Sequence, residues 1–568
     1  MESKPSPPSA VGRRDWARLA FPCVLALVCL ALYLWRLGAI PLEDFDEAYY
    51  AVGAREMLQR RDLGTPYFNN HPFLLKPILI YWVIAASFAA FGVTEFAARL
   101  PSALFGTLTV LATYWFAART VNRRTGFLAG LSLALCYLWI DISRDASIDA
   151  LLTVLIAPAL FLFFLGASEG SRRGRRLQVL CYPLLGLALL AKGPIPVGVV
   201  LVGLFAFLVG AGQLAAILRR QLLPGLAIAL AVAAPWYLYI LWHQPDFFAT
   251  FFVGEHFGHV GGTLARREPI WGNLKYLLIY FYPWVAFLPA ALVHAFRQPR
   301  SHVLRFASWW AIAVIVLFSI PRSKLAHYLA PAFPPLAILV GAWLDQWMSN
   351  RQASRCSLWV PRTVFGAAGI VCLGVAFAAV FAPALIAERV AERYGDWAPG
   401  SAPTVMLDLL GLGSCAAAAL AGARRRLVVA LLALSMAAAA FVHVGWFRAR
   451  LAGIQAQPRE DLARYASRLL SASQPLGVYY AKRNSTIFYF QRPIVDLGET
   501  DDEFAGLVAF LSASRPSAVL THRKLLPALK ARQAPVFLLR ERGDFVLVAN
   551  HPPADGASAT GPDSPPHH

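Results

Sequence analysis

Residues 148–176 read IDALLTVLIAPALFLFFLGASEGSRRGRR, an apolar run with an aspartate at its start and four arginines after its end. A helix that crosses the hydrocarbon core of a bilayer needs about 20 predominantly apolar residues. The run therefore predicts a membrane span at 148–166. Cytoplasmic loops are enriched in Lys and Arg, so the arginines place the end of this span in the cytoplasm. Asp149 then lies at the opposite, outer face.

The same pattern recurs along the chain and predicts an α-helical polytopic membrane protein. Hydrophobic residues make up 58% of the sequence and charged residues 15%, against about 25% charged residues in soluble domains. Every alternate loop is basic, so the formal charge of +20 indicates membrane orientation and not nucleic-acid binding. We predict thirteen spans, at 19–37, 99–118, 126–142, 148–166, 177–191, 195–211, 222–242, 275–296, 304–320, 329–347, 363–384, 405–421 and 427–446.

One apolar run, at residues 73–91, does not fit this count. Treating it as a span would invert every later loop, so we predict that it lies at the membrane interface without crossing. The predicted membrane domain is 1–450, with a first outer loop at 38–98. Within residues 455–550, short β-rich strings at 477–480, 518–521, 536–539 and 545–548 alternate with a helical pattern and predict a small outer α/β domain. The tail, 551–568, is rich in Pro, Gly and Ser and is predicted to be disordered.

With this topology, the outer loops collect acids and lysines. Residues 1–450 contain only five lysines, and four of them fall on the outer face: Lys76, Lys192, Lys275 and Lys324. Lysines placed against the positive-inside trend indicate an anionic partner such as a phosphate, or else snorkelling side chains without a ligand. Asp46 and Glu47 begin a stretch, 46–60, whose apolar residues recur at helical spacing. The two acids cap this predicted helix, serve in catalysis, or do both.

Several motifs follow one another in a specific order, namely Asp46-Glu47-Ala48, Lys76-Pro77, Ala191-Lys192-Gly193-Pro194, Glu255-His256, and Ser323-Lys324-Leu325 with Tyr328. Together they resemble the membrane glycosyltransferases of GT-C type that use polyprenyl-phosphate sugars. The resemblance points to the aminoarabinose transferases of lipid A modification and to the related protein O-mannosyltransferases. It covers roughly residues 35–345 by motif.

The resemblance implies an integral-membrane enzyme with 13 spans and an outer C-terminal α/β domain. It also implies that Asp46 is the catalytic acid of the first loop, that Asp149 is a second essential acid, and that Lys76 contacts the donor phosphate. His256 would belong to a metal-bearing part of the pocket. The sequence departs from the pattern at Leu75, where these transferases carry a glutamate that binds metal, and at Tyr49, where an arginine is usual.

We therefore predict transfer of aminoarabinose, or of a related pentose or hexose, from undecaprenyl phosphate to lipid A or to another envelope glycan or protein, with inversion. The alternatives are an enzyme like the protein O-mannosyltransferases and a flippase for lipid-linked sugars. The expected location is a bacterial inner membrane with the site facing the periplasm, in a monomer that binds the bilayer and no nucleic acid.

The predicted site comprises three classes of residue and an optional metal. The divalent ion, Zn or Mg/Mn, would be held by Asp46 and His256, although His256 also suits a role in orienting a carboxylate. The predicted residues are Asp46, Asp149 and Glu47 for catalysis; Lys76, Arg144, Lys192 and Lys324 for the donor phosphate; and Tyr49, Tyr50, Tyr81, Tyr328 and His256 for the substrate.

Overall fold

The computed structural model describes residues 11–44, 46–169, 171–195, 198–200, 202–203, 223–257, 268–298, 301–321, 324–349, 356–381, 401–420, 424–448, 456–481 and 483–552. The chain divides into two compact units. We call Met1–Leu37, Leu74–Val83 and Arg99–Gly445 the helical unit. Gly38–Phe73, Ile84–Ala98 and Trp446–His568 form the α/β unit. The first loop, which the sequence analysis assigns to the membrane domain, thus contributes mainly to the α/β unit.

The helical unit consists of long apolar helices. Six helices among the described residues are long and apolar enough to cross a membrane, or seven if one bent pair counts as a single span. The six are Glu95–Thr120, Ile148–Glu169, Leu223–His243, His302–Ser319, Ala326–Ser349 (with a 3₁₀ start) and Arg425–Gly445. Further helices are Val11–Leu34, Leu79–Phe91, Arg123–Ala134, Tyr137–Ile142, Arg172–Lys192, Cys356–Phe381 and Ser401–Leu420.

Two predicted spans are interrupted in the structure. The span predicted at 126–142 is divided between the helices Arg123–Ala134 and Tyr137–Ile142, because the backbone at Cys136 is extended. The span predicted at 275–296 bends by 110° between Gly272–Tyr280 and Trp284–Arg297. Pro283 lies at this bend, and proline cannot continue a helix because it has no N–H to donate.

Three further predictions concern the run at 73–91, the span at 195–211 and the tail. The run at 73–91 forms a helix of only 13 residues, Leu79–Phe91, which rises about 20 Å and is too short for a core of about 30 Å. The span predicted at 195–211 and the disordered tail lie largely outside the described residues. The total of thirteen spans stays a prediction.

Close helix packing positions the charged residues described below. The helices Ile148–Glu169 and Arg172–Lys192 are joined by a very short connection and pack as an antiparallel pair. A Cβ atom on Gly166 would lie 2.5 Å from the carbonyl oxygen of Gly174, so only glycine permits this approach. The start of the first helix therefore lies beside the end of the second.

The α/β unit contains the strands β3 Leu476–Val478, β4 Val495–Asp496, β5 Ala518–His522, β6 Phe537–Arg542 and β7 Phe545–Ala549, and the helices Gln457–Leu469, Arg483–Phe490, Phe504–Ser512 and Leu526–Ala531. These five strands form one sheet in the order β4-β3-β5-β7-β6. Strand β3 pairs in parallel with β4 and β5, whereas β7 pairs antiparallel with β5 and β6. Apolar side chains of the strands and flanking helices, such as Tyr479, Leu507 and Val519, form the core of the unit.

The helix Asp46–Arg60 of the first loop belongs to this unit and is joined to the helix Arg483–Phe490 at two points. Near its start, Oδ1 of Asp44 accepts hydrogen bonds from the backbone N–H and the hydroxyl of Ser485. Further along, the buried guanidinium of Arg55 donates to the carbonyl oxygens of Ile487 and Phe488. A two-stranded ribbon follows, β1 Tyr67–Phe68 with β2 His71–Pro72.

Candidate active site

Asp149 and Lys192 form a buried ion pair in the helical unit. Asp149 lies in the first turn of Ile148–Glu169, where the helix dipole stabilises a negative charge. Lys192 is the last residue of Arg172–Lys192, and Gly193 follows it with φ 73°, a left-handed conformation that favours glycine. The Nζ atom of Lys192 lies 2.6 Å from Oδ1 of Asp149, with side-chain exposures of 12% and 4%. Packing of the helix pair thus joins two predicted site residues.

His327 and Tyr328 complete this group, which we call the Asp149 cluster. The Nε2 atom of His327 lies 3.8 Å from Oδ2 of Asp149, and Nζ of Lys192 lies 4.8 Å from the centre of the Tyr328 ring. An ammonium over an aromatic face is a favourable cation–π contact. His327 is absent from the predicted set, although its place between Lys324 and Tyr328 was a signal for it. The cluster contains both charge signs and a phenol around one buried carboxylate.

Lys324 and Lys275 both lie near Glu268, at the start of the bent helix pair. Nζ of Lys324 donates to the carbonyl oxygen of Pro321 at 2.6 Å. Its pKa is lowered by desolvation, an effect that the charge of Glu268 opposes. Oε1 of Glu268 accepts from Nζ of Lys275 at 2.5 Å and from the Tyr276 hydroxyl at 3.1 Å. Of these two lysines, Lys324 is the buried one, and the outer-face location predicted for both stays a prediction.

Arg144 binds backbone carbonyls at the end of the first helix. Its guanidinium donates to the carbonyl oxygens of Leu32, Tyr33 and Trp35 at 2.6, 2.9 and 2.9 Å. The last carbonyls of a helix have no partner within it, so a cation at this point satisfies and stabilises the helix end. This geometry gives Arg144 a structural function, and its predicted contact with a phosphate stays a prediction.

The remaining predicted residues of the helical unit are differently exposed. Lys76 precedes the helix Leu79–Phe91 and is half-buried. Tyr81 lies in this helix and is fully buried. His256 lies in the π-helix Phe248–Phe257, and its side chain is outside the described residues. The predicted roles of these three residues stay predictions.

In the α/β unit, the two neighbouring acids of the first loop have different environments. Asp46 is exposed at the first position of its helix. Glu47 is buried, and its Oε2 atom accepts a hydrogen bond from the backbone N–H of Glu43 at 2.9 Å. Glu47 therefore supports the local backbone, and the catalytic roles predicted for Asp46 and Glu47 stay predictions.

The two predicted tyrosines of the first loop also differ. Tyr49 is half-buried and packs against Phe68 and Phe73, with ring centres 4.7 and 4.9 Å away. Tyr50 is 1% exposed and belongs to the core. Of the two tyrosines, only Tyr49 therefore has a ring that is partly exposed to solvent.

The side chains present do not form a metal site within the described parts of the chain. No group of three or more His, Cys, Asp or Glu side chains there is arranged to hold an ion. Leu75 occupies the place of the expected acidic ligand, and the other proposed ligand, His256, has no described side chain. The predicted metal therefore stays a prediction, and we derive no step through it.

Comparison with known sequences links the chain to one group of enzymes. Residues 75–239 match the family described as dolichyl-phosphate-mannose-protein mannosyltransferase. The chain is 31% identical over 357 residues to the undecaprenyl phosphate-alpha-4-amino-4-deoxy-L-arabinose arabinosyl transferase of Aeromonas salmonicida (strain A449), covering 62% of this chain and 64% of that protein. The enzyme of the same name from Aeromonas hydrophila is 31% identical over 365 residues, covering 63% and 66%. The match thus spans slightly less than two thirds of these relatives.

Solved structures share the fold. The crystal structure of ArnT from Cupriavidus metallidurans bound to undecaprenyl phosphate superposes with a TM-score of 0.79 at 24% identity, covering 98% of this chain and 100% of that one. The oligosaccharyltransferase of Archaeoglobus fulgidus in the apo form gives a TM-score of 0.52 at 13% identity, covering 91% and 71%. By sequence and fold together, the chain resembles the aminoarabinose transferases among the GT-C membrane glycosyltransferases.

Proposed function

We propose that the protein transfers a sugar from undecaprenyl phosphate to lipid A or another cell-envelope acceptor at the periplasmic face of the inner membrane. The observation that carries this proposal is the buried Asp149–Lys192 pair with Tyr328 beside it. The names of the Aeromonas relatives support an aminoarabinose donor. The thirteen-span topology and the separate outer domain at 455–550 remain part of this proposal.

The first chemical event is departure of the carrier phosphate. The bond between the anomeric carbon and the phosphate oxygen breaks, and its electron pair leaves with the phosphate. Cations that are already fixed in a water-poor site stabilise such developing charge most strongly. Asp149 holds the side chain of Lys192 in place through their 2.6 Å contact, so Lys192 is the principal cation, and Lys76 and Lys324 assist it.

The second event is attack by the acceptor. Its oxygen bonds to the anomeric carbon on the face opposite the departing phosphate, which inverts the configuration. A hydroxyl acceptor gives its proton to Asp46, the exposed acid of the first loop, acting as general base. A phosphate acceptor is already anionic and transfers no proton. The leaving phosphate is already a stable anion and needs no general acid. In glycoside hydrolases, by contrast, a general acid protonates the leaving-group oxygen.

Mass spectrometry of envelope lipids tests the proposal directly. Cells that express the intact protein should contain lipid A with one added sugar mass, and purified protein should release undecaprenyl phosphate from the matching donor. Asp149→Asn should lose both signals. Asp246→Asn is the matched control, because Asp246 is an exposed acid of the same unit, and it should keep both. Identical lipid profiles with and without the protein, and no carrier release, would exclude the proposal.

A second candidate function is transfer of a hexose to protein hydroxyls. The match of residues 75–239 to the protein mannosyltransferase family favours it. In the same cells this activity would leave the mass of lipid A unchanged and would add hexose masses to envelope proteins. A flippase of lipid-linked sugars would release no free carrier in the purified system.

A further inference from the structure

Both carboxylate oxygens of Asp149 face a basic side chain. Oδ1 lies 2.6 Å from Nζ of Lys192, and Oδ2 lies 3.8 Å from Nε2 of His327. All three residues belong to the helical unit. The proposed chemistry assigns functions to Asp149 and Lys192 and none to His327. His327 is therefore a titratable side chain of the Asp149 cluster whose function is unassigned.

The proposed chemistry requires Lys192 to serve two anions. In the structure its ammonium contacts the carboxylate of Asp149 and the ring of Tyr328. During transfer the same ammonium stabilises the departing phosphate. One ammonium carries a single positive charge, whereas the carboxylate and the phosphate together carry at least two negative charges. Asp149 therefore needs a second partner when the phosphate binds Lys192.

Burial makes this second partner important. The side chain of Asp149 is 4% exposed, and a buried carboxylate that loses its partner is strongly destabilised. The start of the helix Ile148–Glu169 supplies about half an elementary charge through its dipole, which compensates the carboxylate only in part. Among the described residues, Lys192 and His327 are the basic side chains within ion-pair distance of this carboxylate. When Lys192 turns to the phosphate, His327 is the one that remains.

His327 is close enough to take this place and has room to move. A hydrogen bond from N–H to oxygen measures about 2.7–3.2 Å, so the 3.8 Å separation between Nε2 and Oδ2 is too long for one. A shift of about 1 Å closes the gap. The side chain of His327 is 31% exposed, so packing does not enclose the ring on every side. In the structure His327 thus lies near Asp149 without a hydrogen bond to it.

One short helix contacts both members of the ion pair. His327 and Tyr328 are neighbours in the 3₁₀ helix Ala326–Ala332, whose three residues per turn direct adjacent side chains about 120° apart. The imidazole faces Asp149, whereas the phenol ring lies 4.8 Å from Nζ of Lys192. The two rings meet edge to face, with centres 5.0 Å apart at an angle of 87°. The contacts to the acid and to the ammonium are therefore coupled through one backbone segment.

We propose that His327 is a positioning residue that acts through Asp149: when the carrier phosphate binds Lys192, Nε2–H of His327 donates to Oδ2 of Asp149. The carboxylate then remains paired while Lys192 faces the phosphate. The hydrogen on Nε2 is present in the imidazolium and in one neutral tautomer. His327 itself touches no reacting atom. The inference rests on the proposed function and adds a residue to the same site.

Binding of the carrier lipid to the purified full-length protein in detergent tests the inference. Undecaprenyl phosphate is the probe, and undecaprenol, which lacks the phosphate, is the reference. His327→Leu removes the N–H and should weaken binding of undecaprenyl phosphate at least about tenfold, because Asp149 then competes with the phosphate for Lys192. It should leave the binding of undecaprenol and the unfolding temperature nearly unchanged. His327→Gln keeps an N–H donor at a similar reach and should restore most of the affinity.

His294→Leu is the matched control. His294 is another half-buried histidine of the helical unit, in the helix Leu288–Arg297, where its Nε2 atom lies 3.4 Å from Nε2 of Gln298. This variant should bind both lipids as the wild type does, and a loss equal to that in His327→Leu overturns the assignment to His327. If His327→Leu does not fold, His327→Ala takes its place, with the same expected loss and the same rescue by His327→Gln.

A second background separates action through Asp149 from direct contact with the lipid. Asp149→Asn removes the charge that needs a partner. Adding His327→Leu to it should therefore weaken binding of undecaprenyl phosphate much less than His327→Leu does alone. Equal losses in the two backgrounds would overturn the inference, as would a loss in His327→Gln as large as that in His327→Leu.

The same measurements separate failure of the inference from failure of the proposed function. Wild-type protein that binds undecaprenyl phosphate no more tightly than undecaprenol contradicts the proposed function, on which the inference rests. A preference for the phosphate that His327→Leu leaves unchanged overturns the inference alone and leaves recognition of the carrier standing. A preference that His327→Leu loses and His327→Gln restores supports both.

Discussion

The Nζ atom of Lys192 lies 2.6 Å from Oδ1 of Asp149, although 43 positions separate the two residues in the chain. Both side chains are largely buried. Charges of opposite sign in such a place compensate each other's loss of hydration, and removal of one leaves the other unpaired. The pair therefore links the stability of the helical unit to its proposed chemistry.

The first prediction concerns this pair. Asp149→Asn and Lys192→Met should each reduce transfer at least about 100-fold, the loss expected when a fixed group that stabilises the transition state is removed. Each single change should also destabilise the protein by about 3 kcal/mol. The double variant should be less destabilised than the sum of the singles, since no unpaired charge remains. Thermal unfolding in detergent gives the comparison, and strictly additive losses would show that the two side chains do not interact.

The second prediction separates structural from phosphate-binding functions of Arg144. Lysine at this position keeps the charge and cannot reach the carbonyls of Leu32, Tyr33 and Trp35 together. Each buried carbonyl that loses its hydrogen-bond donor costs about 1–3 kcal/mol, so Arg144→Lys should lower the midpoint temperature of unfolding. The KM for the donor should change little in the folded fraction. A large rise in KM at unchanged stability would instead support the phosphate contact.

The third prediction distinguishes the adjacent acids Asp46 and Glu47. Loss of a general base reduces rates by about 10²–10⁴, so Asp46→Asn should nearly abolish transfer to a hydroxyl acceptor. Its exposed position predicts an almost unchanged unfolding temperature. Glu47→Gln preserves an acceptor for the N–H of Glu43 and should keep most activity. Equal losses in both variants, measured as kcat in donor-saturated assays, would contradict this assignment.

The fourth prediction is a pH dependence of stability centred on Glu460. Arg464 bridges Glu460 and Glu95, with N–O distances of 2.6 and 2.8 Å. Burial raises the pKa of Glu460 from 4.5 to about 7, an effect that Arg464 opposes and the charges of Glu95 and Asp461 increase. The folded protein thus binds a proton that the unfolded chain releases above about pH 4.5.

Stability from this group is fully present below about pH 4.5 and declines as the pH rises to about 7. The shift corresponds to about 3 kcal/mol at most. Glu460→Gln retains an acceptor for Arg464 and carries no charge, so it should flatten the decline between pH 5 and about 7. Unfolding temperatures of both proteins across this range give the measurement. Parallel pH profiles would show that Glu460 is ionised throughout.

Local sequence patterns account for much of the architecture. The run at 148–166 and its arginines indicate a span and its direction because hydropathy and charge bias act on each helix separately. The β-rich strings at 477–480, 518–521, 536–539 and 545–548 overlap strands β3, β5, β6 and β7. The break at Cys136 was missed, since residues 131–141 around it contain neither Pro nor Gly to indicate it.

The candidate site was only partly predictable, because local patterns do not show which side chains the fold brings together. Asp149, Lys192 and Tyr328 stand out in the sequence because charged and aromatic groups at helix ends are costly or functional in a membrane. The local sequence does not distinguish Arg144, which binds the carbonyls at a helix end, from an arginine that binds a phosphate. His327 likewise acquires meaning only through its 3.8 Å distance from Asp149.

The sequence by itself determined a chain of long apolar helices and the family that its motifs resemble, and it predicts the side on which its acids and lysines collect. Only the tertiary structure decided which charges meet: Lys192 with Asp149, and Asp44 with the start of a helix 441 positions away. The physical reason is that these two kinds of interaction involve residues at different separations along the chain. Hydrophobic burial and charge bias depend on the residues of one segment, whereas ion pairs and cavities depend on atoms that packing brings together within a few ångströms.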